Sequence, residues 1–71
     1  MLYEKDALTA AAQYVAEATF IVERQRERVA SLKAMGASTR DAERTLQVLQ
    51  GTLELLEEHE CIIRERSGRL H

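Results

Sequence analysis

The sequence predicts an all-α fold: an antiparallel two-helix hairpin, coiled-coil-like, that assembles with a second copy as a four-helix bundle. Three observations carry that expectation. The 71 residues include no Pro and only three Gly, too few turn formers for a sandwich or a barrel. Apolar residues recur with a heptad period in both halves. The single interruption, at Gly36, is so short that the second helix must return along the first. One domain, residues 1–71, is expected, with helix 1 at about 6–35, a turn at 36–38 and helix 2 at about 39–66.

Helix 1 rests on Leu8, Val15, Val22 and Val29, seven residues apart, with Ala11, Ala18, Gln25 and Leu32 in the paired seam position. Tyr14, Ile21 and Met35 extend the stripe. Nothing between Asp6 and Met35 breaks a helix, and Ala, Leu, Glu, Arg and Gln all favour one. Gly36 then suits the left-handed residue that ends a helix, where a Cβ would clash. Ser38 with Asp41 forms a weak capping box: the hydroxyl accepts an orphan backbone N–H and the acid sits in the first turn.

Helix 2 carries two stripes. Leu46, Leu49, Leu53, Leu56 and Ile63 make the seam, interrupted by Glu60; Val48, Leu55 and Ile62 run beside it. Together they cover roughly 160° of the helix surface, wider than one partner helix needs. The tail from Ser67 to His71 is expected to fray.

The wide stripe is the reason to expect a dimer. A hairpin about 45 Å long has one seam and no enclosed core. Val48, Leu55 and Ile62 would then face water, as would Phe20, which lies off the seam. Burying each is worth roughly 1.5–3 kcal/mol, and a chain this small seldom stabilises itself by its core alone. Gly51 lies on the flank of Val48 and Leu55. It either admits a close helix approach or is a tolerated surface glycine. The self-association residues are therefore Phe20, Val48, Gly51, Leu55 and Ile62. Gln25 either fixes register from within the seam or sits at its edge; Glu60 is expected at the edge with its carboxylate in water.

Charge and chemistry narrow the function. Ten basic and twelve acidic residues leave a net charge of −2, which makes no electrostatic case for nucleic acid or an anionic membrane. No apolar run is long enough to span a bilayer, and the N-terminus lacks a secretory pattern. The lone Cys61 forms no internal disulfide, so a reducing, cytoplasmic setting is expected. His59 and Cys61, two apart, diverge by about 200° on a helix and do not share an ion. The di-iron pattern Glu-x-x-His meets Leu56 where its Glu belongs. No metal, cofactor or enzymatic activity is expected: no nucleophile–base–orienter set is visible and a hairpin lacks a deep pocket. Arg24, Arg26, Arg28 and Lys33 offer the alternative, a small nucleic-acid-binding regulatory dimer akin in architecture to a plasmid copy-number regulator. Because these arginines point different ways and pair with Glu23 and Glu27, a solvated face is the preferred reading.

The run Ile21 to Leu32 (IVERQRERVASL), then Gly36-Ala37-Ser38-Thr39, then Ala42-Glu43 and the leucines leading to His59, resembles small helical-hairpin proteins of α-proteobacteria, rhizobia among them. The resemblance covers roughly residues 20 to 60. It departs at His59-Glu60-Cys61, where members often continue His-Arg-Asp. It implies the hairpin fold and a bacterial origin, and it brings no activity. The expected function is thus a non-enzymatic structural or protein-interaction module, a homodimer first and a binder of helical partners second.

Overall fold

The computed structural model describes the backbone of residues 2–69 and the side chains of 7–66. Two helices, α1 (Leu2–Ala34) and α2 (Arg40–Arg69), pack against each other, and no strand occurs among the described residues. At about 1.5 Å per residue these lengths make a rod, and the molecule measures 55 × 14 × 12 Å. Its radius of gyration, 16.3 Å, exceeds the ~11 Å of a compact chain of this size. An elongated pair of helices encloses little, and among the described residues the buried apolar ones are Ala11, Val22 and Val29.

Those three lie in the heptad seam read from the sequence, and the remaining seam residues of α1 are half-buried. In α2, Leu46, Leu49, Leu53, Leu56 and Ile63 are half-buried as well. One α1 stripe therefore meets one α2 stripe, as a coiled-coil contact requires.

The reversal between the helices is a complete Schellman motif. Gly36 has φ 71°. Its N–H donates to the Lys33 carbonyl at 3.0 Å, and the Ala37 N–H reaches back to the Leu32 carbonyl at 2.9 Å. Both bonds satisfy carbonyls that the end of α1 leaves orphaned. Lys33 also sits favourably in the last turn.

Boundaries differ from expectation at all four ends. The helix enters at Leu2 rather than near residue 6, because Leu2 to Lys5 contain nothing that opposes it. It stops at Ala34, one residue early. Five residues, Met35 to Thr39, link the helices instead of three. The start of α2 shifts to Arg40, since the Thr39 carbonyl accepts the first helical bond, from Glu43 N–H at 2.8 Å. Thr39 donates its hydroxyl to Glu43 Oε1 at 2.9 Å. The box expected between Ser38 and Asp41 reduces to one long contact, 3.5 Å from Arg40 N–H to Ser38 Oγ. Finally, α2 continues through Ser67 and Gly68 to Arg69 where fraying was expected. Extending an established helix needs no new nucleus, and neither residue removes a donor as Pro would. Leu70 and His71 lie outside the described residues.

Candidate interaction surface

Apart from the seam, large apolar side chains gather along one side of the hairpin. Tyr14 and Ile21 project from α1 and are 56% and 48% exposed; Val48, Leu55 and Ile62 project from α2 at 65%, 68% and 46%. An open groove of about 400 Å³ runs between the helices on this side. Tyr14, Glu17, Ala18 and Ile21 form one wall, and Leu49, Thr52 and Leu56 the other. Thr52 lies one turn from both Val48 and Leu55, so the second α2 stripe is the shoulder of this groove. Thr52 spends its own hydroxyl on the Val48 carbonyl at 3.2 Å, which leaves the wall apolar.

Toward the turn the groove becomes polar, lined by Gln25, Arg28, Leu32, Asp41 and Thr45. Arg28 continues the row of Tyr14 and Ile21; Asp41 continues the row of Val48 and Leu55. Here Gln25 Nε2 donates to the Ala42 carbonyl at 3.0 Å. Gln25 is thus a half-buried bridge between the helices at the polar edge of the seam.

Three of the expected surface residues stand where the sequence put them: Val48, Leu55 and Ile62 face away from the hairpin seam. Gly51 lies on their flank, and a Cβ added to it would meet nothing within 4 Å. The hairpin therefore gives no reason for glycine there. Phe20 is 59% exposed but sits on the back of α1, about 100° round from Ile21, with the Arg24 guanidinium 5.7 Å from its ring centroid. This cation–π contact screens part of the ring, and Phe20 shares a shallow depression with Ala16, Glu17 and Ile21 beside the groove.

Tyr14, Ile21 and Met35 correct the reading of α1. They extend the apolar stripe in sequence, yet all three are exposed, Met35 at 71%. Their heptad row lies about 100° from the Val22 row and faces sideways off the seam. That offset was the available sign that Tyr14 and Ile21 belong to the surface site. Glu60 is a second correction: its side chain keeps only 16% exposure, pointing into the seam edge, and Arg64 holds it at 2.9 Å.

The four cations Arg24, Arg26, Arg28 and Lys33 are all exposed but do not converge. Arg24 reaches over Phe20, Arg28 borders the groove, and Arg26 and Lys33, seven apart, share the opposite side of α1. His59 and Cys61 are exposed, and among the described residues no three His, Cys, Asp or Glu are grouped to hold a metal ion. No described helix is long and apolar enough to cross a membrane. No protein-family model matches this chain, and neither curated proteins nor solved structures give a match.

Proposed function

We propose that this chain is a non-enzymatic structural and interaction module that acts by self-association, pairing two hairpins into a four-helix bundle. One observation carries the reading: Tyr14, Ile21, Val48, Leu55 and Ile62 lie exposed around a single apolar groove on a hairpin with almost no enclosed core. Contiguous apolar surface of this kind marks a contact site. It also supplies what the single hairpin lacks, since three buried residues among those described are far fewer than a domain of this length ordinarily needs. Gly51 and Phe20 stand at the rim of the pairing surface, Gly51 beside Val48 and Leu55, Phe20 behind Ile21. Helical segments of other proteins are the further class of partner that such a groove accepts.

Light scattering on a sizing column, run across a dilution series, tests the proposal. The expected result is a mass near twice 8.1 kDa that persists into the low micromolar range. The variant Leu55→Lys is expected to lose the dimer mass and, at the same protomer concentration, much of its helix content, because the single hairpin encloses so little. A wild-type monomer at all concentrations would refute self-association.

A further inference from the structure

The groove is self-complementary at matched levels, and that selects how the second copy sits on it. On α1 one row reads Arg28, Ile21, Tyr14, Ala7 at heptad spacing; on α2 the outer row reads Asp41, Val48, Leu55, Ile62. The helices run antiparallel, and the groove places members of the two rows side by side. Arg28 and Asp41 line its polar end. Ile21 lines it together with Leu49, the neighbour of Val48, and Tyr14 with Leu56, the neighbour of Leu55. Both rows thus present a charge nearest the turn and apolar residues beyond it, and at the charged level their signs are opposite.

Resting on the self-association reading, we infer that the occupant of this groove is a second copy of the chain related by a two-fold axis parallel to the helices. Such an axis preserves level. It lays the α2 row of one copy on the α1 row of the other, so Val48 meets Ile21, Leu55 meets Tyr14, Ile62 meets Ala7, and Asp41 meets Arg28. Each of these four contacts is then apolar on apolar or acid on base. A two-fold perpendicular to the helices inverts level and pairs like rows instead. Asp41 would fall opposite Ile62, and Arg28 opposite Ala7. That arrangement desolvates a carboxylate against an aliphatic side chain and leaves both charges without a counterpart. Both Arg28 and Asp41 are exposed in the hairpin, and among the described residues neither is in an ion pair, so each is free to bind across the interface.

The two axes place the turns differently, and the turn is accessible to labelling. In the full-length double variant Ala37→Cys with Cys61→Ser, spin labels at the exposed turn report the distance between copies. The parallel axis sets both turns at one end, and the expected distance is about 25 Å or less, the width of a bundle of helices 8–10 Å apart plus two label arms. The perpendicular axis sets the turns at opposite ends, about 50 Å apart at 1.5 Å per residue. A distance near 50 Å in a protein of dimer mass overturns the inference and leaves self-association standing. A single-chain mass with no dipolar signal overturns both. Charge reversal gives an independent reading. Arg28→Asp and Asp41→Arg chains, mixed in equal amounts, are expected to form heterodimers well above the statistical half, because each reversed charge then faces its opposite. A statistical mixture would overturn the axis, since inverted levels never bring residues 28 and 41 together.

Discussion

At Gly36 the backbone adopts φ 71° with open space where a Cβ would go. A substitution there is therefore opposed by the backbone and not by packing. Gly36→Ala is expected to lower unfolding free energy by about 1–2 kcal/mol, the cost of holding an L-residue left-handed. Urea titration at fixed protomer concentration measures it, and an unchanged midpoint would mean the turn has another conformation open to it. Gln25 is the opposite case, a residue whose side chain carries the effect. Its amide spans the seam to the Ala42 carbonyl, worth about 0.5–1.5 kcal/mol net. Gln25→Ala should cost at least that, because a half-buried side chain is lost with the bond. Gln25→Leu restores the packing and should recover most of the loss. If Gln25→Leu matches the wild type while Gln25→Ala does not, the bond carries no net stability and Gln25 is only filling space.

Among the elements, α1 and α2 were unequally legible from sequence. The seam of α1 follows from Val22, Val29 and Ala11, because a strict seven-residue repeat leaves one geometry for close contact. Both rows of α2 were legible for the same reason: Leu49 and Leu56 turn in when Val48 and Leu55 turn out. Tyr14 and Ile21 were misplaced because apolarity alone does not distinguish the seam from the row beside it. That distinction depends on which partner helix is present. The cap position is ambiguous by one residue in the sequence because Ser38 and Thr39 both offer a hydroxyl. Only the backbone shows whose carbonyl takes the first helical bond. Glu60 was assigned to water on its charge, whereas its place in the seam row and an acceptor role toward Arg64 decide its burial. Gly51 stands as the element-scale test. Within the hairpin nothing requires glycine, and replacing it removes a helix penalty of roughly 1 kcal/mol. Gly51→Leu should therefore keep or raise helix content by circular dichroism. On the flank of the proposed interface, the same change should weaken the dimer tenfold or more by sizing at successive dilutions. Undiminished association would identify Gly51 as a tolerated surface residue.

For the whole molecule, shape and stability lead to one conclusion. A rod 55 Å long and only 12–14 Å across exposes most of its described side chains, so on the proposed pairing a second copy supplies much of the burial that offsets the entropy of ordering about 70 residues. Pairing through the groove adds apolar burial from both copies at once, and folding and association then become a single equilibrium. Its signature is concentration dependence. Each tenfold dilution removes about 1.4 kcal/mol from the dimer. At the entropy of unfolding typical of some 140 residues, that lowers the melting temperature by roughly 5 °C. Thermal melts followed by circular dichroism from 1 mM to 1 µM protomer should thus fall by about 15 °C in total. Leu55→Ala truncates the interface twice in every dimer, so its curve should lie below the wild type throughout and keep the same slope for as long as a dimer forms. A melting temperature independent of concentration would show that the hairpin is stable as one chain. The exposed rows of Ile21 and Val48 would then need a partner other than their own copy.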